Sequence, residues 1–171
     1  MSAPLRQMIR PPAVAGLFYP AEADELRNQV ESLLAAVGQP SRAPKAVISP
    51  HAGYIYSGQT AAHAYRALSA RKTPPSRVVL IGPCHRVAIS GLALPTSSAF
   101  ETPLGKLEVD RGALAELAEL PGVSIDESAH AREHSLEVQL PFLQVVFGAG
   151  FRIVPLVVGD ATVETVAAAL D

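Results

Sequence analysis

Apolar residues recur at helical spacing near the start of the chain. They fall at intervals of one to four residues, at Leu26, Val30, Leu33, Leu34 and Val37. This spacing predicts an amphipathic helix over residues 21–37, which Gly38 and Pro40 would end. Residues 57–70 are mostly small and predict a second helix that can lie close against a sheet.

Short β-branched runs predict the strands. Residues 45–49 are Lys-Ala-Val-Ile-Ser and residues 77–81 are Arg-Val-Val-Leu-Ile, without internal Gly or Pro. Such runs are typical of buried parallel strands. The same reasoning predicts further strands over residues 89–94, 106–109 and 151–158, the last interrupted by Pro155. Further helices are predicted over residues 112–120, 133–147 and 163–170, and Pro141 must kink the second of these or begin a new helix.

Alternation of strands and helices predicts an α/β fold. We expect a mostly parallel sheet flanked by helices on both faces, with residues 1–171 forming a single domain. The sequence has no internal repeat and no low-complexity linker that would divide it.

Two histidines follow the first two predicted strands. His51 lies in Ser-Pro-His-Ala-Gly-Tyr and His85 in Gly-Pro-Cys-His-Arg. Ligands of open α/β sheets bind beyond the carboxyl ends of strands, and imidazole is the commonest protein metal ligand. Pro50 and Gly53 restrict and shape the first loop. We therefore expect His51 and His85 to converge on a metal site.

Composition narrows the function classes. The 171 residues are 49% hydrophobic and 18% charged, with a formal net charge of −2, which gives no electrostatic argument for nucleic acid or an anionic membrane. Residues 1–10 have no apolar core of signal-peptide length, and no segment matches a membrane span. A single cysteine, Cys84, excludes an internal disulfide. We expect a cytoplasmic protein, and the absence of nucleotide-binding motifs argues against nucleotide cofactors.

Three other side chains have alternative interpretations. His130-Ala131-Arg132-Glu133-His134 spells the H-x-x-E-H pattern of inverted zinc metallopeptidases, a competing site that requires His130 to lie on the same helix as His134. His63, amid small residues of the second helix, is expected to pack or lie half-exposed. The Cys84 thiol either forms a thiolate beside His85 or is an ordinary buried cysteine.

Several spaced blocks closely resemble the Memo family, whose prokaryotic members are called AmmeMemoRadiSam system protein B. The blocks are residues 11–20 (Pro-Pro-Ala-Val-Ala-Gly-Leu-Phe-Tyr-Pro), 50–58, 82–85, 102–105 and 133–142. The resemblance implies a fold like that of the class III extradiol dioxygenases, which are non-haem Fe(II) enzymes. It also implies that His51 and His85 are the metal-site histidines.

From this resemblance we expect Fe(II), less readily Cu or Zn, and redox or oxygen-linked chemistry on an unknown small molecule or peptide group. Tyr54, Glu133 and His134 are expected to shape the pocket and assist catalysis. A radical-SAM protein is the expected partner. The alternative is a binding protein that uses the same pocket for an anionic or phosphorylated partner without turnover.

The chain departs from the resemblance at its C-terminal end. Family members usually continue into a Ser-Ser-Asp-x-x-His block and a later cysteine, whereas this sequence ends at Asp171. We therefore expect a fold that is incomplete at the C-terminus, with weakened or abolished activity. Unpaired edges would then promote homo-oligomers through the final strand or the helix over residues 163–170.

Overall fold

The computed structural model describes residues 8–40, 42–148 and 150–171, which form seven strands and six α-helices. The helices are α1 (Ala23–Ala35), α2 (Tyr54–Leu68), α3 (Arg111–Leu117), α4 (Glu127–Ala131), α5 (Leu140–Phe147) and α6 (Val163–Ala168). The strands are β1 (Ile9–Arg10), β2 (Arg77–Pro83), β3 (Leu92–Leu94), β4 (Ala99–Thr102), β5 (Gly105–Glu108), β6 (Val123–Ile125) and β7 (Arg152–Val158). A 3₁₀ turn covers Glu137–Gln139.

The strands form two mixed sheets. The larger has the order β2-β7-β3-β6 and the smaller the order β1-β4-β5. Three of the five pairings between these strands are parallel: β2 with β7, β3 with β6, and β1 with β4. The α/β class is confirmed, but the strands divide between two sheets because β4 and β5 pair as a hairpin apart from the larger one.

The prediction of a strand over residues 45–49 is wrong. This segment is irregular, with a bend at Lys45, and belongs to neither sheet, and Ile48 is fully exposed. β-branched residues favour an extended backbone, but a strand also needs a pairing partner. Among the described residues none pairs with this segment. His51 therefore follows an irregular segment rather than a strand.

Other boundaries shift for local reasons. The helices predicted over residues 21–37 and 57–70 are confirmed as α1 and α2, although α2 begins at Tyr54, three residues before the predicted start. Residues 133–147 are not one helix, because Pro141 lies in the first turn of α5, where its missing N–H costs nothing. Strand β7 continues through Pro155. Its pairing with β3 involves only Val157 and Val158, so no ladder bond on that side is lost at the proline.

Strand β7 is central, which corrects the expectation that the final strand lies exposed. It sits between β2 and β3, so the edges of the larger sheet are β2 and β6. On β2, Val79 is 46% and Ile81 39% exposed. None of the α6 residues is buried.

A buried ion pair fastens the N-terminal segment to the core. Arg10 Nη1 lies 2.8 Å from Glu137 Oε2, and both side chains are almost completely buried. The other Glu137 oxygen accepts hydrogen bonds from the Tyr19 hydroxyl and the Val14 amide. This network positions the segment that carries Leu17 and Phe18. Residues 1–7, part of the stretch considered for a signal peptide, lie outside the described residues, and none of the described helices is long and apolar enough to cross a membrane.

Candidate metal centre

Three imidazoles converge at one end of the larger sheet. One ring nitrogen from each of His51, His85 and His134 lies within 4.8 Å of the other two. The ring centroids are 5.2 Å apart for His51 and His85, 4.8 Å for His85 and His134, and 5.9 Å for His51 and His134. The three nitrogens are close enough for one ion to bind them after small movements of the rings, since metal–nitrogen bonds are about 2.0–2.1 Å long.

Each histidine comes from a different connection. His51 lies between the irregular segment over residues 45–49 and α2, His85 follows β2, and His134 lies between α4 and the 3₁₀ turn. The structure thus brings the two expected ligands together and adds a third. Sequence reasoning treated His134 as a residue that shapes the pocket. Its adjacency to Glu133 in an irregular segment was the available signal, but no local pattern shows which way its ring points.

Glu133 contacts two of the three histidines and fixes their positions. Its buried carboxylate lies 2.9 Å from His85 Nδ1 and accepts hydrogen bonds from the backbone amides of His85, His134 and Ser135. Burial raises the pKa of this carboxyl, but the hydrogen bonds from His85, Ser135 and His134 outweigh burial and lower it to about 2. The carboxylate is therefore ionised. His85 Nδ1–H donates to it, which leaves the Nε2 lone pair free for a ligand.

His134 is held neutral with an unpaired nitrogen. Burial lowers its pKa, and the adjacent His85 and His51 lower it further, against the opposing charge of Glu133. Its Nδ1 lies 3.3 Å from Glu133 Oε1, but the geometry is not that of a hydrogen bond, and this atom is among the few buried polar atoms in the described residues without a partner. A neutral imidazole with an unsatisfied nitrogen fits a metal ligand.

Two side chains of the same segment hold the other two loops. Ser135 Oγ donates to the Pro83 carbonyl over 2.8 Å, just before His85. Gln139 Nε2 donates to the Pro50 carbonyl over 3.1 Å, just before His51. Close approach at Gly82 contributes, since a Cβ there would lie 3.1 Å from Ser135 Oγ. Hydrogen bonds thus fix the backbone before His51 and before His85 to residues 133–139.

A cleft of about 540 Å³ opens beside the imidazoles. His51 and His134 line it together with Leu17, Phe18, Pro50, Ala52, Gly53 and Tyr56. The Phe18 ring packs against His134 with a centroid distance of 4.8 Å. The cleft is the size of small-molecule sites, so the imidazoles are open to a ligand from this side.

Tyr54 is not at the cleft, contrary to expectation. It is 5% exposed, its hydroxyl donates to the Val138 carbonyl over 2.7 Å, and its ring packs on Phe142. As the first residue of α2, its side chain falls on the face that packs on the core. Tyr56, two residues along, lines the cleft instead. Half-buried Cys84 directs its thiol to the Ala129 carbonyl, 3.8 Å away.

The H-x-x-E-H interpretation fails on geometry. Helix α4 ends at Ala131, so Glu133 and His134 do not continue the helix that carries His130. His130 is buried and its Nε2 lies 2.9 Å from the Ala93 carbonyl. Desolvation lowers the pKa of His130 to about 4. It is a neutral core histidine, and His63 is an exposed residue of α2 outside the imidazole group.

The donor set fits a first-row transition metal. Three imidazoles match the ligand number of open catalytic sites, and imidazole suits Fe, Cu and Zn. The Glu133 carboxylate supplies the outer partner that metal-bound histidines usually have. His134 thus adds a third imidazole to the two that the sequence predicts.

Comparisons with known proteins identify the family of this chain. A model of the family described as "Memo-like protein" matches residues 10–170. MEMO1 family proteins of Methanopyrus kandleri and Ignicoccus hospitalis are 43% and 47% identical, over 92% and 88% of this chain. A relative from Aeropyrum pernix is 45% identical over 91% of the chain. The matches span 59%, 56% and 59% of those relatives' lengths, so the chain corresponds to somewhat more than half of each. The chain belongs to the Memo-like family.

Proposed function

We propose that His51, His85 and His134 bind one divalent first-row transition metal, and that Fe(II) is its occupant. The observation that carries the proposal is the convergence of three imidazole nitrogens within 4.8 Å of one another. Fe(II) rather than Cu or Zn follows from the family resemblance, because the donor atoms alone suit all three metals. A cytoplasmic location and a radical-SAM partner belong to the same proposal.

The residues around the site have distinct tasks. Glu133 fixes the tautomer of His85 through its Nδ1 proton, and burial keeps His134 neutral near pH 7. Ser135 and Gln139 hold the backbone before the other two ligands. A bound Fe(II) supplies one-electron and oxygen chemistry, and the cleft admits the molecule on which that chemistry acts.

Metal retention tests the proposal. The chain is loaded anaerobically with Fe(II) and desalted, and iron per chain is measured by mass spectrometry. We expect about one iron in wild type and in His63→Ala, and less than about a tenth of that in His134→Ala, because removing one of three ligands leaves too few for tight binding. His63 is a matched control, since it is an exposed histidine outside the group.

Equal retention in wild type and His134→Ala, with both folded by circular dichroism, would contradict the site. Elemental analysis of the protein as isolated separately determines which metal occupies the site. Copper or zinc in place of iron would leave the site intact and overturn only the identity of the metal.

A second candidate is binding of an anionic or phosphorylated group without turnover. Arg86 favours it, because this exposed cation directly follows His85 and its charge helps to lower the pKa of His134. Calorimetric titration with inorganic phosphate distinguishes the two. Binding that Arg86→Gln abolishes, in protein stripped of metal, would support this candidate.

A further inference from the structure

The wall of the cleft beside the imidazoles is apolar. Leu17, Phe18, Pro50 and Tyr56 supply its larger side chains, while His51 and His134 supply the polar ring atoms. Among the described residues that line it, none carries a carboxylate, an ammonium or a guanidinium group. A molecule in this cleft therefore meets mostly apolar surface, with the imidazoles and the Tyr56 hydroxyl as the polar side-chain groups of the lining.

Two wall residues expose an unusual amount of apolar surface. Leu17 is 80% exposed and Tyr56 is 83% exposed, although both border a concave site. Large apolar side chains clustered at a concavity mark a binding surface, whereas isolated ones need no explanation. The position of Leu17 is fixed from both sides, because Glu137 accepts hydrogen bonds from the Val14 amide before it and from the Tyr19 hydroxyl after it.

Size and charge restrict the occupant. About 540 Å³ suits a small molecule rather than a folded partner. A phosphate placed against this wall would lose its hydration without gaining a cation from the lining residues, which is costly. A flat apolar body loses no hydrogen bonds there and can pack against the rings of Phe18 and Tyr56.

We propose that the cleft binds a small uncharged molecule, which reaches the metal through one neutral nitrogen or oxygen donor and lays a flat apolar body against Leu17, Phe18 and Tyr56. This inference rests on the proposed metal site and specifies the class of substrate for it. It separates that class from the phosphorylated partners of the second candidate function.

Two probes with the same donor test the inference. Imidazole and 4-phenylimidazole both coordinate through a neutral ring nitrogen, and only the second carries a flat apolar body. Each is titrated into Co(II)-loaded chain, and the visible absorption of the cobalt reports coordination. We expect 4-phenylimidazole to bind about tenfold more tightly, because burying a phenyl ring is worth at least that factor.

Variants locate the preference. Leu17→Ser and Tyr56→Ser should each reduce the ratio of the two dissociation constants several-fold, and the ratio cancels any general change at the metal. Val163→Ser on α6 is the matched control, since Val163 is 79% exposed and lies outside the cleft. Its ratio should equal that of wild type.

The outcomes separate the two proposals. If the chain does not retain cobalt, the metal site itself is wrong and the substrate class falls with it. If cobalt is retained but the probes bind equally, or if neither binds, only the substrate class is overturned. Tighter binding of inorganic phosphate than of 4-phenylimidazole would also overturn it, in favour of the anionic partner.

Discussion

The side-chain amide of Gln139 donates to the backbone carbonyl of Pro50 over 3.1 Å and joins two loops of the candidate metal site. The same nitrogen donates to the Ser135 carbonyl over 3.2 Å, and the Tyr65 hydroxyl fixes the amide by donating to its oxygen. Gln139 therefore links the backbone before His51 to the backbone after His134, without being a ligand itself.

The change Gln139→Glu should weaken metal binding. A carboxylate would place oxygen against two carbonyl oxygens, so the loops before and after the ligands would separate. We expect about 10- to 100-fold weaker binding, the usual cost of losing an outer partner, measured by competition with a metal-sensitive dye. Gln144→Glu is the control, because its buried amide donates to the Gly105 carbonyl away from the site. That variant should lose stability but retain wild-type affinity; equal metal loss in both would show that Gln139 acts only through folding.

Replacement of Glu133 by Gln should also reduce metal affinity, by about 10- to 100-fold. The carboxylate accepts from His85 Nδ1 and three backbone amides, and an amide nitrogen at either position would face a donor. Glu127→Gln provides the comparison, since Glu127 similarly accepts from Thr96 and Ser97 in another loop. Metal titration of both variants separates the effect on the site from loop disorder. Full affinity in Glu133→Gln would mean that the tautomer of His85 is fixed otherwise.

Acid should destabilise the metal-free chain through His130. Desolvation depresses its pKa from 6.5 to about 4 in the fold. Below pH 6.5 the unfolded chain binds more protons, so stability present above that pH is lost as the pH falls towards 4. Between pH 7 and 4.5 this amounts to about 2 kcal/mol. Urea unfolding at the two pH values measures how much the free energy of unfolding falls between pH 7 and 4.5. In His130→Gln this fall should be smaller by the His130 contribution. The lowered pKa of His134 acts in the same direction, so part of the fall remains; an unchanged fall would refute the assignment.

Breaking the buried pair should be costly. Arg10→Met leaves the buried Glu137 carboxyl without its cationic partner, and we expect a loss of about 3–5 kcal/mol in the free energy of unfolding. The double variant with Glu137→Gln should lose less than the sum of the single changes, because it removes the unpaired charge. Urea unfolding provides all four values of the cycle. Additive losses would show that the two side chains do not interact.

Self-association remains a prediction, now placed at a different strand. Strand β2 lies at a sheet edge and exposes Val79 and Ile81, whereas β7 is central. Exposed apolar edges pair readily with another chain, so we expect dimers at micromolar concentration by light scattering. Val79→Lys should shift the species to monomer. A monodisperse wild-type monomer would contradict the prediction.

Sequence patterns predict the helices and strands that are determined by their own residues. The apolar spacing of α1 and the β-branched run of β2 placed both, and His85 follows β2 as the strand-end rule requires. The segment before His51 has the same composition as a strand, but pairing depends on neighbours that composition does not reveal. Although this segment pairs with no strand, the backbone before His51 is still held in place, because Gln139 donates a hydrogen bond to the Pro50 carbonyl.

The third imidazole could not be placed from the sequence. Glu133 and His85 are 48 residues apart, and their contact depends on how the segment after α4 crosses the end of β2. No periodicity describes an irregular segment. The H-x-x-E-H pattern pointed instead to a helix that ends at Ala131. The sequence also predicts Tyr54 at the pocket, because it follows His51 closely. In the structure Tyr54 is the first residue of α2, and its side chain is buried in the core rather than in the cleft.

One seven-residue stretch, residues 133–139, contains one imidazole of the candidate metal site and holds the loops of the other two. Glu133 and Ser135 fasten the connection with His85, Gln139 fastens the connection with His51, and Glu137 fastens the N-terminal arm. A transient opening of this stretch would therefore release all the imidazoles in a single event. Metal should leave this protein in one kinetic phase, at the rate of that local opening, with no slower population in which two ligands still hold the ion.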